Sequence, residues 1–214
     1  MVKKIWSVLT TEWNREREEA RKHPFPFIVV PLIFVGLMIL SGIFSALSGP
    51  EVPGQGIPEQ DKATTARAKV LQQKLSEIGT RPSVTIDDYI KNTLDAAPII
   101  DEAKGLIPLQ MASVDRFKQE HSGDAKAAMT ADYATRMFQK DAEIMSLLVN
   151  EVYCARALQV LPSAKQIAYY NENVLPLKQK EQHAGKEWAA LANEAAAKGV
   201  SWSNYVTKGA KGLE

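Results

Sequence analysis

The chain has 214 residues, 45% apolar and 24% charged, with 26 Lys and Arg against 25 Asp and Glu and a single Cys. These averages exclude a polytopic membrane protein, a disordered chain of high net charge and a disulfide-stapled miniprotein. A net charge of +1 is also too small for a dedicated nucleic-acid-binding protein, so we expect no nucleic-acid partner.

Residues 1–23 are predicted to form a cytoplasmic amphipathic helix beside the membrane. This segment contains no Gly or Pro, and its apolar residues recur at spacings of three and four. Trp is enriched at the headgroup level of bilayers, so Trp6, Leu9 and Trp13 are candidate membrane-interface residues. The alternative is that the same apolar face docks on a partner subunit.

Residues 24–48 are predicted to form one transmembrane helix that acts as an uncleaved signal anchor. Every residue from Phe25 to Leu47 is apolar, Gly, Pro or Ser, and about 20 such residues cross the ~30 Å hydrocarbon core of a bilayer. The alternatives are a buried helix of a soluble domain and a signal peptide cleaved after Ser48. Small side chains in the span favour packing against a second helix. The helix-packing candidates are Gly36, Ser41, Gly42, Ser45 and Ala46.

The orientation of this span follows from the basic residues at its two ends. Six Lys and Arg precede it, whereas none lies between Ser48 and Asp61. The positive-inside rule therefore predicts a cytoplasmic N-terminus and an exported C-terminal domain. In a bacterium this means a single-pass protein of the inner membrane with its domain in the periplasm. In a eukaryote the same rule places the domain on the far side of the membrane into which the chain is inserted.

Residues 49–60 are predicted to form a linker, and residues 61–214 an exported helical domain. Three Pro and three Gly fall between residues 48 and 58, which excludes a helix or a central strand there. After Asp61 the chain is rich in Ala, Lys, Gln and Glu, and no stretch alternates apolar and polar residues over a strand length. The whole chain is therefore predicted to be all-α: an amphipathic helix, one transmembrane helix and an elongated antiparallel bundle of about four helices.

Caps and breaker residues divide the exported domain into five predicted helices and a short terminal piece. The first helix is predicted to turn Ala66, Val70 and Leu75 inward. The fourth and fifth helices, joined by a tight turn, are predicted to form an antiparallel hairpin. The predicted N-caps are Ser83 or Thr85, Asp124 and Ser163. The predicted helices cover residues 61–78, 83–98, 98–120, 124–161 and 163–199, and the terminal piece covers residues 202–206.

Catalytic and metal-binding patterns are sparse, so we expect no enzyme, no cofactor and no metal site. The chain has three His, no Glu-x-x-His pair, no Cys-x-x-Cys-His and no glycine-rich phosphate loop. The lone thiol, Cys154, cannot build a multi-Cys zinc site, and it adjoins the predicted core of the fourth helix. We therefore predict that this thiol is buried.

Two carboxyl side chains border the predicted core of the fourth helix. Asp141 and Glu151 lie one turn from apolar positions of that helix. An ordinary solvated helix edge with ion pairs is the simpler interpretation. The alternative is a polar pocket for a small ligand, lined by Tyr133, Asp141, Glu151 and Tyr170.

These features favour a non-enzymatic accessory subunit of a larger membrane protein complex. Its predicted partners are the lipid bilayer and other membrane subunits, or further copies of itself, with the bundle as a scaffold or docking surface. The alternative function is a membrane-anchored ligand-binding or sensory module.

Overall fold

The computed structural model describes residues 59–82 and 85–208, and all regular structure within them is helical. Four long helical segments are joined by short connections. The fourth segment consists of two α-helices with a π-helical turn between them, and one short helix follows it. The predicted all-α domain is thus confirmed for the described residues. The elements are α1 Glu59–Gly79, α2 Ile86–Glu120, α3 Ala125–Val160, α4 Ser163–Tyr169, a π-helical turn Tyr170–Val174, α5 Leu175–Ala197 and α6 Trp202–Lys208.

The predicted membrane segments fall outside the described residues. Among the helices that the structure does describe, none combines the length and the apolar character that a membrane span requires. The interface and helix-packing candidates and the possible cleavage site all lie within residues 1–58. These are Trp6, Leu9, Trp13, Gly36, Ser41, Gly42, Ser45, Ala46 and Ser48.

Successive long segments run antiparallel. From α3 to α5, the hydroxyl of Tyr133 bonds to Glu194 and Lys140 bonds to Glu187, so residue numbers rise on one helix as they fall on the other. The α1–α2 pair shows the same reversal, and α3 returns along α2 to its first turn, where Tyr89 contacts Glu151. A helix of 36 residues such as α3 is ~54 Å long. The predicted elongated antiparallel bundle is therefore the observed architecture of the described residues.

The up-and-down order gives the bundle two distinct ends. We call the end where α1 begins the entry end; it also holds residues 121–124 and α6, whose Trp202 packs on Phe117. We call the opposite end the tip; it holds the start of α2 and the turn at Leu161 and Pro162 between α3 and α4. The described chain enters the bundle one helix length away from the tip.

The predicted helix break at Pro98 is wrong, because α2 continues through both Pro98 and Pro108 to Glu120. Proline removes one backbone hydrogen bond and bends a helix, but it does not have to end one. Both prolines lie on the exposed side of α2, where water can bind the carbonyl groups that lose their N–H partner. The predicted second and third helices are therefore one helix of 35 residues.

The buried face of α1 also differs from the prediction. Ala66 and Val70 are exposed, and of the three predicted inward residues only Leu75 is buried. The face begins with two polar residues, Asp61 and Thr64, whose side chains find hydrogen-bond partners inside the protein. Because these two residues are polar, the spacing of apolar residues in the sequence does not indicate that they are buried. The buried set follows a seven-residue repeat: Asp61, Thr64, Ala68, Leu71, Leu75 and Ile78.

Two of the predicted caps are confirmed and one is wrong. Thr85 caps α2 through a reciprocal capping box with Asp88, and Asp124 accepts hydrogen bonds from two N–H groups of α3. Ser163 is already the first residue of α4, and Pro162 stands at the N-cap position without a side-chain bond. Ser163 is thus one residue too late in the chain to act as a cap.

A π-helical turn separates α4 from α5, where the sequence predicts one continuous helix. Pro176 lacks the N–H that would bond to the carbonyl four residues before it, and the backbone widens just ahead of it. In the widened turn, the N–H of Leu175 bonds to the carbonyl of Tyr170, five residues back. Tyr170 and Val174 are the buried residues of this turn.

The C-terminus of α5 ends in a Schellman motif at Gly199. The N–H of Val200 bonds to the carbonyl of Ala195, the N–H of Gly199 bonds to that of Ala196, and Gly199 has φ +68°. A Cβ in this left-handed conformation is unfavourable. We expect Gly199→Ala to lower the free energy of unfolding by about 1–2 kcal/mol, measured by urea denaturation followed by circular dichroism.

The matched control for this change is Gly105→Ala. Gly105 lies inside α2, and a Cβ built there meets no atom within 4 Å. Alanine favours the helix over glycine, so we expect this variant to gain about 0.5–1 kcal/mol. Equal effects of the two substitutions would contradict the role of the left-handed conformation at Gly199.

The interior contains two principal apolar clusters. The larger, which we call the trunk core, joins residues of α1, α2, α3 and α6 and includes Ala184 of α5. The smaller, which we call the tip core, has no residue from α1. It consists of Ile86, Tyr89, Ile90, Ala155, Leu158, Tyr170 and Val174.

Candidate functional site: a buried lysine and two carboxyls

A layer of polar side chains lies between the trunk core and the tip core. On α3, Glu151 lies beside Leu148 and Val152, the last trunk-core residues of this helix, and one turn before Ala155 of the tip core. On α5, Lys178 and Glu181 are one turn apart and therefore share a face. None of these three charged side chains is more than 3% exposed. Together with two buried tyrosines of the tip core that lie beside them, they form what we call the polar layer: Tyr89, Glu151, Tyr170, Lys178 and Glu181.

The contacts of the layer centre on one oxygen of Glu151. The Nζ atom of Lys178 is 3.7 Å from Oε2 of Glu151, which makes an ion pair without a hydrogen bond. The hydroxyl of Tyr89 donates a long hydrogen bond of 3.4 Å to the same oxygen. The Nζ atom also lies 5.2 Å from the centre of the Tyr89 ring, and Tyr170 packs edge-on against that ring at 5.2 Å.

Most polar side-chain atoms of the layer have no hydrogen-bond partner. Of eight buried side-chain polar atoms without a hydrogen-bond partner among the described residues, five belong to the polar layer. Each unsatisfied buried group costs about 1–3 kcal/mol. A protein interior tolerates such a set only if protons, water molecules or a ligand complete it. The five atoms are Oε1 of Glu151, the hydroxyl of Tyr170, Nζ of Lys178, and Oε1 and Oε2 of Glu181.

Burial dominates the electrostatics of the layer. It raises the pKa of Glu181 well above the ordinary value, the neighbouring Glu151 raises this pKa further, and Lys178 opposes the shift. Burial also raises the pKa values of Tyr89 and Tyr170, with a smaller contribution from Glu151 in each case. Glu181 therefore favours the neutral acid, and both phenols stay protonated at neutral pH.

Another buried carboxyl of α3, that of Asp141, lies ten residues and about 15 Å along the helix from Glu151. Asp141 is 4% exposed, and burial raises its pKa well above the ordinary value, while the adjacent indole of Trp188 lowers this pKa by a smaller amount. The interpretation of Asp141 and Glu151 as a solvated helix edge is wrong, because both side chains are buried between helices.

The fourth predicted pocket residue, Tyr133, belongs to a separate network towards the entry end. Its hydroxyl donates to Glu194 at 2.6 Å and accepts a hydrogen bond from Lys198 at 2.6 Å. All four predicted pocket residues are buried, but only Glu151 and Tyr170 lie in one cluster. The structure therefore does not bring Tyr133 and Asp141 into a common pocket with them.

Sequence reasoning missed Lys178 and Glu181. Lys178 lies four residues after the buried Val174, at an ordinary helical spacing, but a lysine is not counted when a buried face is read from apolar residues alone. Glu181 did stand at a helical spacing from Tyr170 and Val174 in the sequence. A charged residue inside an otherwise apolar stripe was the available signal.

Other candidate sites in the described residues are weaker. No group of three His, Cys, Asp or Glu side chains in this part of the chain is placed to hold a metal ion. Cys154 is half-buried, less than predicted, and burial raises the pKa of its thiol. A groove of about 360 Å³ at the tip contains no residue of the polar layer. It is lined by Asp87, Ile90, Lys91, Leu94, Asp95, Gln159 and Gln166.

Comparison of the chain with protein-family models, with curated proteins and with solved structures finds no match.

Proposed function

We propose that this chain is a non-enzymatic accessory subunit of a larger membrane protein complex, held by a single span in a bacterial inner membrane. Its helical bundle serves as a docking surface in the periplasm. The sequence supports the anchor and its orientation through the apolar stretch at residues 24–48 and the basic residues before it. The helical bundle supports a scaffold, because its long helices hold their two ends far apart.

The observation that carries the proposal is the position of the exposed apolar side chains. Of seven large hydrophobic residues exposed in the described part of the chain, four lie on the α3–α5 segments near the tip. Val160, at the end of α3, is 83% exposed, and α4 contains no buried residue at all. Exposed apolar side chains that are more frequent near one end of a bundle favour a protein interaction site at that end. The four are Tyr153, Val160, Ile167 and Leu175.

The position of this surface suits a partner that lies away from the membrane. The described chain begins at Glu59, at the entry end, and α3 spans ~54 Å between the two ends. A subunit anchored through residues that precede Glu59 would present the tip at roughly this distance from its point of attachment. We therefore assign the docking role to the tip rather than to the sides of the bundle.

We expect the double substitution Val160→Ser and Ile167→Ser to reduce the amount of partner that co-purifies with the full-length chain by about tenfold or more. Burial of one such side chain at an interface contributes about 1.5–3 kcal/mol, and 1.4 kcal/mol corresponds to a factor of ten in affinity. The measurement is purification from native membranes with quantitative mass spectrometry of the bound proteins.

The matched control is Leu109→Ser with Met129→Ser, because these side chains are exposed to a similar degree as Ile167 but lie outside the tip. The control should retain its partners at the wild-type level. Unchanged partners in the tip variant, or the same loss in the control, would contradict docking at the tip.

A ligand-binding module is the second candidate function, and the unused polar atoms of the polar layer favour it. A small ligand bound there would be held by Lys178, Glu181 and the adjacent tyrosines. Val160 and Ile167 are outside this set, so substitutions at the tip would leave such binding unchanged. The two candidate functions are therefore separable.

A further inference from the structure

The polar layer carries an unbalanced set of charges. It receives Tyr89 from α2, Glu151 from α3, Tyr170 from the π-helical turn, and Lys178 and Glu181 from α5. Cys154 on α3 and the adjacent Tyr169 are further titratable groups in its surroundings. With both carboxyls ionised and the lysine protonated, the layer has a net charge of −1. Bringing such a charge into the interior costs several kcal/mol unless it is compensated.

One proton removes this imbalance. Glu151 pairs with Lys178 at 3.7 Å, Glu181 lies one turn from the same lysine on α5, and both carboxyls are fully buried, so the two belong to one cluster. A shared proton would also give Glu181, whose two oxygens have no other partner among the described residues, the hydrogen bond that it lacks. We propose that the polar layer is a proton-binding site in which Glu151 and Glu181 share one proton, and that loss of this proton separates the tip from the trunk.

The architecture explains why the bundle would open at this level. The tip core contains no residue of α1, because α1 ends at Gly79, where Arg81 pairs with Asp95 of α2. Beyond that level only α2, α3 and the α4–α5 segment hold the tip together. The π-helical turn also interrupts the regular hydrogen bonds of this last segment directly beside the layer. A repulsive charge in the layer therefore acts where the bundle has the fewest packed helices.

Infrared spectroscopy of the full-length chain in detergent micelles tests the shared proton directly. At neutral pH we expect the carbonyl stretch of a buried, protonated carboxyl group, and this signal should disappear as the pH rises. Glu181→Gln and Glu151→Gln should each remove the same signal, because the remaining carboxylate then pairs with Lys178. Asp141 is also buried, and Asp141→Asn identifies its separate contribution.

Hydrogen exchange of the same full-length chain tests the opening. Protection of residues 163–177, corrected for the intrinsic pH dependence of exchange, should fall by up to tenfold per pH unit over the range in which the proton is lost. Residues 100–114 of α2, which pack in the trunk core, should show no such dependence. Glu181→Gln should make protection at the tip independent of pH, since its neutral amide needs no proton.

The matched control is Glu187→Gln on the same helix, where Glu187 is partly exposed and pairs with Lys140. This variant should keep both the infrared signal and the wild-type pH dependence at the tip. The proposal would be overturned by a wild-type spectrum without the signal, or by a signal that survives either substitution in the layer. Protection at the tip that is independent of pH in the wild-type chain would also overturn it. The infrared and hydrogen-exchange measurements on the wild-type chain do not require any variant to fold, and neither requires a docking partner.

Discussion

Lys178→Met should lower the free energy of unfolding by about 3–5 kcal/mol at neutral pH, because it removes the cation of the polar layer and leaves two buried carboxyls. The side chain of Met fills nearly the same volume, so the cost comes from charge rather than from a cavity. Lys178 is 3% exposed, and water cannot solvate the carboxylates in its place. Urea denaturation of the full-length chain followed by circular dichroism measures the change.

The pH dependence of this variant gives a sharper test than its stability at one pH. Burial already raises the pKa of Glu181, and removal of Lys178 takes away the contribution that lowers it, so its folded value lies further above the unfolded one. The stability is then fully present at low pH and is lost as the pH rises through the folded value. We therefore expect Lys178→Met to approach the wild-type stability on acidification.

Lys140→Met is the matched control, because Lys140 also contacts two carboxylates but is partly exposed. Exposed ion pairs contribute little, so this variant should stay within about 1 kcal/mol of the wild type. If Lys178→Met cost no more than this control, or if its stability did not recover in acid, the lysine would not be neutralising the polar layer.

Phe117→Ala should cost about 3–5 kcal/mol and release α6 from the entry end. The ring of Phe117 is 1% exposed and packs between α2 and α6, with ring centres 4.2 Å from Tyr205 and 5.4 Å from Trp202. Alanine would leave a cavity and remove the main surface on which α6 rests. Urea denaturation measures the cost, and hydrogen exchange of residues 202–208 reports the release.

Phe117→Leu is the control for this prediction. It keeps most of the buried apolar volume while it removes the ring contacts, so we expect a loss smaller than that of alanine and continued protection of α6. A cost below about 1 kcal/mol for Phe117→Ala, with α6 still protected, would contradict the role of Phe117 as the residue that holds this helix.

The parts of the fold that depend on local chemistry could be predicted from the sequence. Thr85 and Asp124 begin helices because short oxygen side chains at these positions bond to nearby N–H groups. Gly199 ends one because glycine adopts positive φ at little cost. Pro98 was misleading because the same residue can end a helix or bend it, and the choice depends on packing elsewhere in α2.

The polar layer could be predicted only in part. Glu151 and Tyr170 stood beside apolar positions and were recognised as pocket candidates, and both are buried. Lys178 was missed because it is charged, and a lysine at a helical spacing from apolar residues is usually exposed. These three residues lie at one level because of the register of α3 against α5. The sequence does not determine that register, and the structure shows it.

The buried polar contact of α1 has a consequence for its alignment with α2. A seven-residue repeat looks the same after a shift of one repeat, so a helix of this kind could slide by about 10 Å and still bury an equivalent face. Asp61 removes that ambiguity, since its carboxylate bonds to Ser113 and Arg116 of α2 in one alignment only. A single polar residue on the buried face thus fixes where α1 stops, and hence how far the tip extends beyond it.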